Sequence, residues 1–386
     1  MMSNKIRLKG ITWGHSRGLL PMVATTQRFE EMHPEVEITW KKRTLQEFAD
    51  KSITELAAEY DLLVIDHPWT GHTAAQKMVV ALDNLLPNAF LEDQRQNSVG
   101  KSYTSYNFEG LQWALPIDAA TPVAASRPDL LAELGISVPM TFEELLALAK
   151  MGKVAFSLIP IDVLMSFYMF CCSLGEEPCL TSDKVVSETV GVHALKLFKS
   201  LADHVDKRFY SKNPFMVYED MVNQDDIAYC PFAYGYSNYS RPGYSRKLLH
   251  FHDLVTLEDK GAMTSTLGGA GLAISARSAH IDIAVKYAEF VASPVVQTTL
   301  YMENGGQPGH LQAWKDEEVN RRTSNFFQAT LPALERAFLR PRYYGHMYFQ
   351  DHAGDIVVNY LRDGGDELDV LEELNRMYKE SLKING

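Results

Sequence analysis

Residues 6–32, IRLKGITWGHSRGLLPMVATTQRFEEM, decide how the fold begins. The apolar run Ile6 to Trp13 reads as a strand, and Leu19 to Met32 places apolar residues at helical spacing, so the stretch is strand, turn and amphipathic helix. The turn between them, GHSRG at 14–18, fits G-x-S-x-G, the elbow that exposes a nucleophilic serine in many hydrolases. Such an elbow normally follows several strands, one of which supplies part of the oxyanion hole; this one follows the first. Three readings of Ser16 therefore stand: a nucleophile, a ligand contact near the positive end of a helix, and a structural turn. Pro21 is read as part of the first helical turn, where its missing N–H costs nothing.

The same rhythm continues outward. Val36–Trp40 and Tyr60–Ile65 are further strand candidates, and Leu45–Glu59 is the helix between them, the alternation of a parallel sheet with crossover helices. Trp113–Asp118 is extended, and Thr141 with Glu144 forms a capping box ahead of the apolar run Leu145–Leu148. Helices are expected at Asp162–Leu174, Glu188–Leu201 and Asp282–Ala292. Glycines enter an apolar strand in TSTLGGAGLAIS (264–275), and a polar-aromatic stretch, RPRYYGHMYFQDH (340–352), interrupts a helical C-terminal part.

With 386 residues the chain exceeds what one core usually organises, and no flexible linker divides it, so two domains joined by structured crossings are expected. A net charge of −12 and the lack of a basic stripe argue against nucleic acid or an anionic membrane as partner. The run Ile159–Leu174 contains Pro160 and Asp162 and falls short of the roughly 20 apolar residues of a membrane span, so it reads as a buried helix. Cys171, Cys172, Cys179 and Cys230 show neither zinc spacing nor a disulfide framework, and no metal or cofactor motif is present. The start, MMSNKIRLKGITW, shows no apolar leader segment, which keeps a cytoplasmic location open.

The order of segments resembles a known family. FEEMHPEV (29–36), YDLLVID (60–66), WALPID (113–118), RPDLLAELGISVPMTFEELLALA (127–149), GGAGLAIS (268–275), ASPVVQ (292–297) and NGGQPGHLQAW (304–314) are similar, in that order, to segments of the family-1 extracellular solute-binding proteins, the carbohydrate-type subunits of ABC importers. PVAASRPDLL (122–131) departs from the family pattern: Ala125 and Ser126 stand where a tyrosine and an asparagine are common.

The resemblance implies an α/β chain of the type II periplasmic-binding-protein fold. Lobe one would comprise 1–118 and 276–322, lobe two 119–275 and 323–386, with crossings near 117–122, 268–275 and 320–328. It further implies a hinge, a small polar ligand held between the lobes, importer membrane subunits as partners, a periplasmic location, a monomer and no cofactor. The ligand expected is a sugar, a sugar acid or a similar small oxyanion. An enzyme on the same scaffold, using Ser16 or a cysteine, and a cytoplasmic small-molecule sensor are the alternatives.

On that footing the ligand contacts are expected at strand ends. His15, Ser16 and Arg17 offer backbone N–H groups and positive charge, while Asp66, His67 and Trp69 offer an acceptor, a titratable ring and a stacking face. Asp118 either holds ligand hydroxyls or braces a crossing. Tyr234 and Tyr236 lie in the densest aromatic stretch, and Gly268 and Gly269 allow close backbone approach to a ligand or form a plain bulge. Arg340 can fork onto a carboxylate with Tyr344 beside it, or cover a helix end.

Overall fold

A computed structural model describes residues 5–43 and 53–384. The chain divides into two compact units: residues 1–120 and 268–320 form the first, 121–267 and 321–385 the second.

The first unit is built on a five-stranded sheet. In spatial order its strands are Val36–Arg43, Ile6–Trp13, Leu62–Ile65, Gly268–Ile274 and Leu115–Ala120. The three N-terminal strands pair in parallel, as the strand–helix rhythm requires. Gly268–Ile274 then runs antiparallel to both of its neighbours, so the sheet is mixed. This strand was expected in the second lobe; it belongs to the first unit because its alternate residues Leu272 and Ile274 are needed on one face of this sheet, packed with Leu8, Val64 and Leu115. The opposite face is closed by Ile11, Leu56, Leu63, Ile65 and Ala273.

The helix after the first strand runs from Ser16 to Met32, three residues earlier than the periodicity indicates. His15 is the cause: it is the N-cap residue, and its Nδ1 accepts from the Arg17 N–H at 3.0 Å, satisfying one of the donors that would otherwise have no helical partner. Pro21 consequently lies inside the helix rather than in its first turn, and removes the bond to the Arg17 carbonyl. Of the expected helix Leu45–Glu59, residues 45–52 lie outside the described residues, and Ile53–Glu59 is helical.

The second unit packs helices on a three-stranded sheet ordered Tyr229–Tyr234, Pro122–Ser126, His250–His252. Its central helix, Pro160–Ser173, is entirely buried from Val163 to Cys171. Each large apolar side chain so enclosed contributes about 1.5–3 kcal/mol. Phe170 meets Phe198 and Phe232 at ring separations of 5.2 and 5.9 Å, tying this helix to Glu188–Ala202 and to the sheet. The Thr141–Glu144 capping box forms as expected and starts the helix Phe142–Lys150. RPRYYGHMYFQDH is only half an interruption, since the helix His346–Asp363 begins within it. Among the described residues no helix is long and apolar enough to cross a membrane.

One ionisable group at the head of the central helix sets a pH dependence. Burial raises the Asp162 carboxyl to about 6, against the Ser157 hydroxyl that donates to its Oδ2 at 2.6 Å. A carboxyl whose folded pKa is raised adds stability below its unfolded value, and that contribution fades as pH climbs from about 4 to about 6. Above pH 6 the fold carries a costly charge, partly offset by the helix N-terminus, at a net cost of about 1–2 kcal/mol. Asp162→Asn is therefore expected to raise stability by about that amount at pH 7.5 and to leave it unchanged at pH 4, in urea unfolding at both pH values.

Candidate functional site

Topology brings one group of residues together. Strands 6–13 and 62–65 are parallel, and 115–120 points the same way because it is antiparallel to a strand that is itself antiparallel to 62–65. The loops after Trp13 and Ile65, the end of 115–120 and the start of 268–274 thus lie along one edge of one sheet. His15, Ser16, Arg17, Asp66, His67, Asp118, Gly268 and Gly269 all sit at that edge, the carboxyl end of the parallel strands, where open α/β sheets take ligands.

Arg17 and Asp118 meet across 101 residues of sequence. Arg17 Nε donates to Asp118 Oδ2 at 2.9 Å and Nη2 to Oδ1, a bidentate pair with side chains only 5% and 1% exposed. Burial pushes the Asp118 carboxyl upward while the guanidinium and the backbone pull it down. The guanidinium also lies over the Trp13 ring, 5.9 Å from its centroid. The charge Arg17 was expected to offer a ligand is neutralised within the protein, and Asp118 acts as the brace of its strand.

The glycines of GHSRG have packing reasons. A Cβ on Gly18 would lie 2.4 Å from the Trp13 ring, and one on Gly14 would lie 3.0 Å from the Arg43 carbonyl. His15, the residue beside Ser16, is held neutral: burial first, then Arg17, lowers its pKa to about 4. Such an imidazole is a poor general base at neutral pH.

At the next strand end, the Asp66 carboxylate accepts from the backbone N–H of His67 at 2.9 Å, and the His67 ring, fully buried, packs edge-on against Tyr106. Trp69 is half-buried: its ring meets His72 edge-on at 5.4 Å and packs against the core of the first unit. Gly269 has φ +101°, and a Cβ there would stand 2.3 Å from the Asp118 carbonyl. Its close approach is thus to the neighbouring strand.

Tyr234, Tyr236, Arg340 and Tyr344 belong to the second unit. Tyr234 ends a strand and is half-buried, whereas Tyr236 is 9% exposed and contacts Phe215 and Tyr218. Arg340 is 3% exposed; its Nε donates to the Leu267 carbonyl and its Nη1 to Gln350 Oε1 at 2.8 Å. That guanidinium braces the polypeptide and does not reach the surface as a fork. Tyr344 is half-buried.

Sequence reading missed two features here. Ser126 Oγ lies 2.8 Å from His252 Nε2, a pairing only the sheet register creates. Among the described residues no carboxylate is shown bonded to the His252 ring, neighbouring Asp253 is paired with Arg336, and burial lowers His252 to about 4. The other is Arg241, directly after the aromatic stretch, where burial lowers the guanidinium. Three of the four cysteines are equally unsuited to attack: burial raises Cys171 and Cys230 far above the usual thiol range and Cys179 to about 12. Among the described residues no group of three or more His, Cys, Asp or Glu is placed to hold a metal ion.

Comparison with known proteins agrees with this architecture. Residues 15–161 match the family described as bacterial extracellular solute-binding protein. Among solved structures, maltose-bound T. maritima MalE3 superposes with a TM-score of 0.85 at 19% identity, covering 97% of this chain and 99% of that one. An ABC transporter solute-binding protein from Agrobacterium radiobacter K84, in complex with ribitol, follows at 0.83 and 18%, covering 98% and 99%. The GacH receptor of Streptomyces glaucescens GLA.O, solved unliganded and with acarbose, gives 0.79 and 18% over 98% and 99%. Residues 15–161 thus resemble the bacterial extracellular solute-binding proteins in sequence, and the fold of the chain is shared with the solved structures over nearly its whole length.

Proposed function

We propose that this protein captures a small polyhydroxylated solute for an ABC importer, outside the cytoplasmic membrane and as a monomer. The observation that carries the reading is the full-length likeness to proteins solved with maltose, ribitol and alpha-D-tagatose, combined with the family match. The strand-end group of the first unit supports it. Asp66 supplies an acceptor for ligand hydroxyls, Ser16 a hydroxyl at a helix start, and Trp69 an aromatic face for the C–H side of a sugar ring. In this reading Arg17, Asp118 and Gly269 hold the edge in shape and the loops beside them make the contacts.

The test is a thermal-shift screen against neutral sugars, polyols, sugar acids and amino acids, with each hit examined by mass spectrometry for turnover. A ligand at a hundredfold excess over its Kd is expected to add about 2.7 kcal/mol, and to be recovered unchanged. Trp69→Ala is expected to weaken the hit about tenfold, the loss of one stacking face, without lowering the melting temperature of the free protein by more than a few degrees. Conversion of the hit to product would overturn the reading.

A further inference from the structure

Arg241 differs from three other arginines of the second unit, each of which is paired with a carboxylate. Arg127 is held by Asp129 and Asp225, Arg208 by Asp226, and Arg336 by Asp253. The Arg241 Nε and Nη2 atoms are both fully covered and have no hydrogen-bond partner among the described residues, carboxylates included. Burial first, then the neighbouring cation Arg322, lowers the guanidinium to about 10.

The arrangement is built and not incidental. Arg241 caps the short helix Ser237–Ser240, which follows Tyr234 and Tyr236 directly, and its N–H donates to the Asn238 carbonyl at 3.1 Å. Asn238 is 2% exposed, and its Oδ1 also lacks a partner among the described residues. Ser324 Oγ donates to the Ser240 carbonyl at 2.8 Å, which ties this short helix to the turn that follows Arg322. That turn contains two successive non-glycine residues with positive φ, Ser324 at 47° and Asn325 at 64°, a conformation kept at a cost. A half-buried arginine whose covered Nε and Nη2 lack acceptors among the described residues, with an amide oxygen on the same short helix likewise without a partner among them, forms a receptor for an anion that also bears a hydroxyl.

We propose that the second unit carries an anion subsite. Arg241 Nε and Nη2 fork onto a carboxylate and Asn238 Oδ1 accepts from a neighbouring hydroxyl, so that the solute is an acidic saccharide. The inference rests on the saccharide-binding reading above and narrows it. It also moves the anion-binding role away from Arg17 and Arg340, whose guanidinium groups are engaged within the protein.

The experiment is calorimetric titration of the full chain with matched neutral and acidic sugars: glucose with glucuronate, galactose with galacturonate, and the corresponding disaccharides, with sugar phosphates as a further arm. The acidic member of a pair is expected to bind at least about tenfold tighter, and Arg241→Gln to lower its affinity about 10- to 100-fold. Arg241→Lys, which retains the charge and loses the fork, is expected to recover only part of that loss. Arg246→Gln, which alters an exposed arginine paired with Asp225, serves as a control and is expected to leave acidic affinity unchanged. Neutral sugars bound as tightly as their acids, with Arg241→Gln indifferent, would overturn the subsite and leave the solute-binding function standing. Preference for the phosphates would overturn the carboxylate assignment. Binding of neither neutral nor acidic sugars would sink the saccharide reading itself.

Discussion

Arg17→Ala is expected to cost about 3–5 kcal/mol of folding stability at pH 7, among the largest effects of any single side-chain truncation in the first unit. The reason is the partner left behind. Asp118 is 2% exposed, and without the guanidinium its carboxylate is a buried charge with no counter-ion of its own. The pH dependence gives a second reading of the same event. In the variant the lone carboxyl takes up a proton as pH falls, so the destabilisation shrinks between pH 7 and pH 5, opposite to what loss of packing alone would do. Arg17→Met combined with Asp118→Leu removes both charges and is expected to recover most of the loss. Urea unfolding of the three variants at both pH values decides it; a cost under about 1 kcal/mol for Arg17→Ala would mean that water reaches the pair.

Gly269→Ala is expected to be comparably severe, at about 3 kcal/mol or more, or to prevent folding. Two costs coincide at this position. The φ of +101° lies where a side chain is strained, and the new methyl group would stand 2.3 Å from the Asp118 carbonyl oxygen, a backbone atom that cannot rotate away. Gly135 separates the two terms: it caps a helix at φ 66°, and a methyl group added there would meet nothing within 4 Å, so Gly135→Ala is expected to cost about 1 kcal/mol. A similar, small loss for both glycines, measured by thermal unfolding, would show that the two strands separate readily. Because Arg17 and Gly269 act on the same residue, Asp118, their effects are expected to be non-additive in a double-mutant cycle.

Local pattern carried much of the fold. The strand Ile6–Trp13, the helix that follows it and the Thr141–Glu144 capping box were legible because each depends on residues within a few positions of one another. The order of several such segments also pointed to the family whose model matches residues 15–161. The start of the first helix was misplaced by three residues because its cap is a histidine ring, a residue type that caps rarely enough to give no signal. His15, Ser16, Arg17, Asp66 and His67 were found together at one sheet edge because strand ends in parallel α/β units can be counted from sequence.

What the sequence determined by itself was the set of elements and the chemistry available at their ends: a turn rich in glycine and charge after the first strand, an acceptor beside an aromatic after the third, a dense aromatic stretch in the second half. Which of those groups remain available to a ligand was decided only by tertiary structure. The Gly268–Ile274 strand enters the first unit's sheet antiparallel because long-range burial of its apolar face outweighs the local parallel rhythm. Arg17 finds Asp118, and Arg340 finds Gln350 and a backbone carbonyl, whereas the Nε and Nη2 of Arg241 find no acceptor among the described residues. These arginines are indistinguishable in composition and local pattern. Charge pairing across 101 residues depends on which strands become neighbours, a property of the packed sheet that no local stretch encodes.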